Sequence, residues 1–167
     1  MVALSFVRAA KDIDDVHIIM DEFGRRIPVL AKIEKPQAVA HLQEIVDAFN
    51  GVMVARGDLG VELPLEEVPL EQKRAIDLCR RAGKPVIVAT QMLESMIENP
   101  VPTRAEVTDI FNAVIEQVDC VMLSGETSVG RYPDKCVEVL DRVIRRIEEN
   151  YPAGRFANDA PLKTNKH

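Results

Sequence analysis

The chain has 167 residues, of which 47% are hydrophobic and 29% are charged, with a formal net charge of -6. This composition is ordinary for a folded domain and supplies enough apolar residues for one sizeable core. No block of Lys or Arg stands apart, so a wide surface for nucleic acid or for an anionic membrane is not expected. No apolar stretch reaches the roughly 20 residues of a membrane span, and the N-terminus lacks the features of a signal peptide. The expected location is therefore the cytoplasm.

The cysteines are odd in number and widely spaced, at Cys79, Cys120 and Cys136. Each lies in an apolar run that predicts a helix or a strand. We therefore expect reduced thiols in the core rather than disulfides or a structural zinc site.

The hydrophobic pattern alternates between strands and helices along the whole chain. Strands are predicted at residues 2–7, 27–33, 52–55, 85–89 and 120–123, and amphipathic helices near residues 13–23, 36–49, 70–82, 103–115 and 133–147. A loop is predicted at residues 59–67 and a short helical segment at 93–97. Thr103 and Glu106 have the spacing of a capping box, while Leu70 and Val137 are expected to face the core.

Five strand–helix units in succession predict a parallel sheet with right-handed crossovers. The turns carry no GxGxxG or Walker A loop, which argues against a nucleotide-binding Rossmann or P-loop sheet. Polar residues instead follow every strand, namely Ser5, Lys32 with Glu34, Arg56 with Asp58, Thr90 with Gln91, and Ser124 with Glu126. This distribution is typical of a TIM barrel, although a complete barrel has eight strands. The predicted fold is α/β, a partial TIM (β/α)8-type barrel of five parallel units over residues 1–150, with a flexible tail or linker at 151–167.

Charged residues at two neighbouring strand ends indicate a site. Lys32 and Glu34 end one apolar run, and Asp58 follows the next. A strand buried on both faces should be apolar throughout, so these charges are more consistent with function than with core packing. Two carboxylates and an ammonium group suit a hard divalent cation beside an anionic substrate.

Six short motifs occur in a fixed order along the chain. They are ALSFVR at residues 3–8, AKIE at 31–34, MVARGDLGVE at 53–62, ATQMLESM at 89–96, PTRAE at 102–106 and LSGET at 123–127. In this order they resemble the successive motifs of the pyruvate kinase family, and the similarity covers about residues 2–150. The resemblance implies that the five strands correspond to the fourth to eighth strands of that family's barrel. The first three strands, the small lid domain and the C-terminal regulatory domain of the family would then lie outside this sequence.

The resemblance also implies a reaction, the transfer of a phosphoryl group from phosphoenolpyruvate to ADP, which gives pyruvate and ATP in glycolysis. The family uses Mg²⁺ and usually K⁺. By motif, Lys32 would lie against the transferring phosphoryl group and the enolate oxygen, and Glu34 and Asp58 would ligate Mg²⁺. Positioning and charge neutralisation are the main requirements of such a transfer.

The remaining motif residues receive roles by the same resemblance. Backbone N–H groups at Gly57 and Asp58 would receive the substrate carboxylate, and Thr90 would lie beside that carboxylate and the methyl carbon. Ser124 and Glu126 would belong to the proton relay. Other motif residues are expected outside the chemistry: Arg56 would tie loops together, and Thr103 and Arg104 would lie in a subunit interface.

Two alternatives to an active pyruvate kinase remain open at this stage. In the family, the K⁺ ligands, a phosphate-binding Arg and most ADP contacts lie outside this sequence, so negligible turnover is expected from the chain alone. The chain could be a non-catalytic folding or association fragment, because an open sheet leaves two edges and an inner face to be covered, and self-association is therefore expected. A metal-dependent lyase or aldolase on a barrel that binds phosphoenolpyruvate or pyruvate is the other alternative.

Overall fold

Five parallel strands form one sheet in a computed structural model of the chain, which describes residues 1–151. The strands are Val2–Leu4 (β1), Val29–Ile33 (β2), Gly51–Ala55 (β3), Val86–Ala89 (β4) and Cys120–Met122 (β5). Their order in the sheet is their order in the chain, and every neighbouring pair is parallel. The predicted succession of five strand–helix units is confirmed.

Helices connect the strands and follow the last one. They are Asp12–Glu22 (α1), Pro36–Ala40 (α2), Leu42–Ala48 (α3), Arg56–Glu62 (α4), Val68–Ala82 (α5), Arg104–Ile115 (α6), Gly125–Ser128 (α7) and Pro133–Asn150 (α8), with a 3-10 helix at Glu94–Ile97. Within residues 1–151, no helix is long and apolar enough to cross a membrane. Of the predicted tail, only Tyr151 is described, and residues 152–167 lie outside the described part of the chain.

The core lies between the helices and one face of the sheet. In β2 the side chains on this face are Val29, Ala31 and Ile33, all of them buried, and alternate residues of β3 and β4 join the same cluster. Helix residues such as Ile76 complete the cluster. Strands covered in this way need apolar side chains, which explains their hydrophobic sequences.

The opposite face of the central strands is largely buried, although Lys32 and Ile87 on this face are partly exposed. Leu30 of β2 is 2% exposed and lies over Gly51 of β3, where a Cβ atom would come within 2.7 Å of the Leu30 Cδ2 atom. At the edges, by contrast, Ala3 of β1 and Cys120 of β5 are exposed. The expectation of an uncovered inner face is therefore right at the edge strands and wrong at the centre, where neighbouring side chains shield one another.

Three predicted elements have different boundaries in the structure. Strand β1 ends at Leu4 instead of residue 7, because the backbone turns at Phe6, which has a φ of 60°. The helix predicted near residues 36–49 is divided at His41 into α2 and α3. Helix α4 extends to Glu62 and so occupies the first half of the predicted loop at residues 59–67.

Burial confirms some predictions for single residues and contradicts others. Cys79 and Cys136 are buried, as expected, and burial raises the pKa of the Cys79 thiol to about 11. The prediction was wrong for Cys120, because β5 is an edge strand. It was also wrong for Leu70 and Val137, which are 62% and 54% exposed on the outer faces of their helices.

Candidate active site

Lys32 lies near the carboxyl end of β2 and connects two neighbouring strand ends. Its Nζ atom donates a hydrogen bond to Ser5 Oγ, just after β1, at 2.9 Å. The same atom forms an ion pair with Glu34 Oε2 at 3.0 Å. The Lys32 side chain is 24% exposed, so its ammonium group is held in place and still accessible from solvent.

Glu34 is a buried carboxylate whose two oxygens have different partners. The side chain is 2% exposed, and its Oε1 atom accepts a hydrogen bond from the Phe6 N–H at 2.5 Å. Its Oε2 atom faces Lys32. A buried charge is costly unless it is paired and hydrogen-bonded, and these two contacts meet that requirement.

Gly57 and Asp58 begin α4, directly after β3. Asp58 is exposed in the first turn of this helix. The Gly57 N–H, which the resemblance assigns to the substrate carboxylate, donates to Thr90 Oγ1 at 2.7 Å. A substrate carboxylate would therefore compete with Thr90 for this N–H group.

Thr90 and Gln91 follow β4 in a conformation that is unusual for residues other than glycine. Their φ angles are 69° and 55°, in the left-handed region. Arg56 accounts for this conformation, because its Nη2 atom donates to Thr90 O at 2.8 Å and to Gln91 O at 3.1 Å. Arg56 also forms an ion pair with Asp109 of α6 at 2.6 Å. The prediction that Arg56 ties loops together is confirmed by these contacts.

Glu126 is fully buried next to Ser124, after β5. Its Oε2 atom accepts the Ser124 N–H at 2.8 Å, and its Oε1 atom accepts the Leu93 N–H at 3.0 Å. Burial, and secondarily the charge of Glu126, raises the pKa of the neighbouring Cys136 thiol. Both carboxylate oxygens of Glu126 accept hydrogen bonds from backbone N–H groups, and these bonds link the loop after β5 to the loop after β4.

The predicted site residues thus form three groups at the carboxyl ends of adjacent strands. Lys32 contacts Glu34, Gly57 contacts Thr90, and Ser124 contacts Glu126. Residues 1–151 contain no cluster of three or more His, Cys, Asp or Glu side chains that could hold a metal ion. The resemblance assigns two carboxylates to the metal, Glu34 and Asp58; each oxygen of Glu34 already has one partner, the Phe6 N–H or Lys32 Nζ, and keeps a second lone pair that could face a cation. This set fits Mg²⁺, which commonly takes one or two protein carboxylates and completes its shell with water and substrate oxygens.

Several residues around the site were missed by reasoning from sequence. Phe6 contributes its N–H to Glu34, and Asp109 pairs with Arg56. Lys35 and Glu62 form an ion pair at 2.6 Å beside the two carboxylates. Glu62 lies four residues after Asp58, a spacing that would have drawn attention to it had α4 been predicted as a helix.

Comparison with known proteins identifies the family. Residues 1–137 match the family model described as the barrel domain of pyruvate kinase. The chain is 63% identical to the pyruvate kinase of Mycobacterium tuberculosis over 153 residues, which are 92% of this chain and 32% of that relative. It is 64% identical to the Corynebacterium efficiens enzyme and 52% identical to the Thermotoga maritima enzyme, each over 147 residues, or 88% of this chain. These matches cover 31% and 32% of the two relatives, so the chain spans about a third of their length. The chain belongs to the pyruvate kinase family, and its five parallel strands form part of that family's TIM-type barrel.

Proposed function

We propose that this chain carries the phosphoryl-transfer site of a pyruvate kinase, which converts phosphoenolpyruvate and ADP to pyruvate and ATP. The observation that carries the proposal is the ammonium group of Lys32, fixed between Ser5 Oγ and Glu34 Oε2 at an accessible strand end. An ammonium group fixed in this way can stabilise negative charge on a transferring phosphoryl group without reorganising.

Glu34 and Asp58 are the proposed Mg²⁺ ligands. Glu34 is oriented by the Phe6 N–H, and Asp58 projects from the first turn of α4. When bound, the ion would act as a Lewis acid toward the enolate oxygen. The family's K⁺ is part of the proposal for the complete enzyme only, since the resemblance places its ligands outside this sequence.

Thr90 and Ser124 are the proposed polar contacts to the substrate. The Thr90 hydroxyl accepts the Gly57 N–H and donates to Ala89 O at 2.6 Å, so its position is determined by both neighbouring strand ends. We propose that Gly57 and Asp58 approach the substrate carboxylate beside it. In the proton relay, Ser124 would handle the proton, and Glu126 would act through the Ser124 backbone because both of its oxygens are occupied.

The proposed setting of this chemistry is cytoplasmic, where the three cysteines would stay reduced. We also propose that the chain self-associates through its exposed sheet edges. Because the chain supplies five of the eight strands of a barrel, binding is a better test of the site than turnover.

The test is calorimetric titration of the 167-residue chain with Mg²⁺ and oxalate, a dianion that resembles enolpyruvate. We expect oxalate to bind only when Mg²⁺ is present. Lys32→Met should weaken oxalate binding about ten- to a hundredfold, the value of a charged hydrogen bond, while Mg²⁺ binding persists. Asp58→Asn should abolish the binding of both Mg²⁺ and oxalate.

Asp14→Asn is the matched control, because Asp14 is an exposed aspartate on α1, and this variant should bind like the wild type. Circular dichroism of each variant separates loss of binding from loss of folding. Oxalate binding of wild-type affinity in Lys32→Met would give Lys32 a structural role and contradict the proposal.

A further inference from the structure

Lys35 bridges two segments beside the proposed metal ligands. Its Nζ atom pairs with Glu62 Oε1 of α4 at 2.6 Å and lies 5.6 Å from the centre of the Phe6 ring, after β1. The distance to the ring is within the range of a cation–π contact. We refer to these three side chains as the Lys35 clamp.

Phe6 connects the clamp to Glu34. Its N–H donates to Glu34 Oε1, its φ is 60°, and its side chain is 65% exposed. Exposure of an aromatic side chain to water is unfavourable, and so is a left-handed backbone at a residue other than glycine. The contact between Lys35 and the ring is an interaction that holds this turn, and with it the N–H that orients Glu34.

Glu62 connects the clamp to Asp58. The two residues are four positions apart on α4 and therefore share one face of the helix. Helix α4 has only seven residues, and two of them are Gly57 and Gly60. So short and glycine-rich a helix has little stability of its own, and its orientation depends on contacts with other elements. The Lys35–Glu62 ion pair is one such contact.

We propose that Lys35 is a positioning residue, which fixes the segments that carry Glu34 and Asp58 relative to each other and so prepares the two carboxylates for a divalent cation. This inference rests on the proposed function, because it takes those two carboxylates as the metal ligands. Lys35 touches neither carboxylate in this role, since it acts through Phe6 and Glu62.

The direction in which one substitution changes the affinity for a cation separates a positioning role of Lys35 from a purely electrostatic one. Lys35 carries a positive charge beside the site, so its removal would by itself strengthen cation binding. If Lys35 positions the ligands, its removal weakens cation binding instead. Lys35→Met keeps most of the aliphatic stem and removes the charge, so it tests these opposite expectations directly.

The experiment is titration of the full chain with Mn²⁺, a hard divalent cation that is visible by electron paramagnetic resonance. We expect Lys35→Met to weaken Mn²⁺ binding about two- to fivefold, the size expected for loss of a partly exposed ion pair. Lys135→Met is the matched control, because Lys135 makes a similar contact with the Tyr132 ring, at 5.3 Å on α8. This variant should bind Mn²⁺ like the wild type.

Two further variants test whether Lys35 acts through Glu62. Glu62→Gln should weaken binding by a similar factor, and the double variant Lys35→Met/Glu62→Gln should be no weaker than the weaker single variant. The exchanged pair Lys35→Glu/Glu62→Lys should recover only the part of the affinity that the ion pair carries, because a glutamate at position 35 cannot make the cation–π contact with the Phe6 ring. Unchanged or tighter Mn²⁺ binding in Lys35→Met would overturn the inference.

A metal-free measurement distinguishes failure of this inference from failure of the proposed function. The Phe6 amide resonance reports its hydrogen bond to Glu34, and we expect Lys35→Met to shift that resonance and to speed its hydrogen exchange. If the Phe6 amide resonance and its hydrogen exchange are the same in Lys35→Met as in the wild type, the proposed role of the Lys35 clamp is overturned, even if the wild type binds Mn²⁺. Mn²⁺ binding that persists in Asp58→Asn would instead overturn the proposed metal site, and the Phe6 amide would still decide on the clamp.

Discussion

The Glu126 carboxylate has no exposed surface, and its hydrogen bonds join backbone segments far apart in the sequence. One oxygen accepts the Ser124 N–H, and the other accepts the Leu93 N–H across a separation of 33 residues. Hydrogen bonds from N–H groups to a buried carboxylate are stronger than those to a neutral acceptor. Glu126 therefore links the loop after β4 to the loop after β5.

Replacing Glu126 with Gln should destabilise the protein. The Gln side chain has one acceptor oxygen, so its NH₂ group would face a backbone N–H and leave a buried donor without a partner. We expect a loss of about 2–3 kcal/mol in the free energy of unfolding, measured by urea denaturation. Glu94→Gln is the control, because Glu94 is exposed on the neighbouring 3-10 helix. Equal stability of the two variants would contradict this structural role.

The charged residues proposed for the site carry a local signal in the sequence, whereas most of their contacts do not. Lys32 and Glu34 end one apolar run and Asp58 follows the next, which is a local signal. The contacts of Ser5 with Lys32 and of Phe6 with Glu34 span 27 and 28 residues. They depend on the parallel pairing of β1 with β2 and on the turn at Phe6, and neither is encoded by a local pattern.

Among the helices, α6 has the clearest N-terminal signal in the sequence, and the stability that its cap provides should depend on pH. Thr103 and Glu106 form the predicted capping box, and Glu106 also accepts two hydrogen bonds from Ser95. Burial by itself would raise the pKa of Glu106, but the hydrogen bonds from Ser95 and Thr103 outweigh it and lower the pKa below the ordinary value. A carboxylate with a lowered pKa stabilises the fold above its ordinary pKa, and this contribution disappears as the pH falls through the lowered value.

Glu106→Gln should therefore lower stability at neutral pH by about 1 kcal/mol, the usual effect of losing a helix cap. The difference between variant and wild type should shrink as the pH falls below the ordinary value of 4.5, because the wild-type carboxylate becomes protonated too. Thermal unfolding between pH 7 and pH 3 measures the difference. A difference that stays constant with pH would show that the charge of Glu106 is not what stabilises the cap.

Helices α6 and α4 show which elements can be read from sequence. The start of α6 is encoded within four residues by Thr103 and Glu106, so it was predicted correctly. Helix α4 carries Gly57 and Gly60, which have low helix propensity, and it was mostly predicted as loop. It is helical because contacts such as that of Gly57 with Thr90 override the local preference.

At the scale of the whole molecule, the open sheet has two edge strands. Strands β1 and β5 each have three residues, and Ala3 and Cys120 are exposed on them. Unpaired edges favour association with another chain, whereas a lysine at an edge opposes it. The short length of both strands should limit the proposed self-association.

Ala3→Lys should weaken self-association about fivefold, the effect of roughly 1 kcal/mol from like charges across paired strands. Ala40→Lys is the matched control, because it adds the same charge at an exposed position on α2. Analytical ultracentrifugation over a range of concentrations measures the dissociation constant, with a reductant present because Cys120 is exposed. A wild-type chain that remains monomeric at high concentration would contradict the expectation.

The strand order has a consequence for how the protein is synthesised. Each strand pairs with the strand that precedes it in the chain, from β1 through β5. As the ribosome releases this part of the polypeptide, each of the strands β2 to β5 finds the strand that precedes it already present. These five strands can therefore acquire their native pairing one unit at a time during translation.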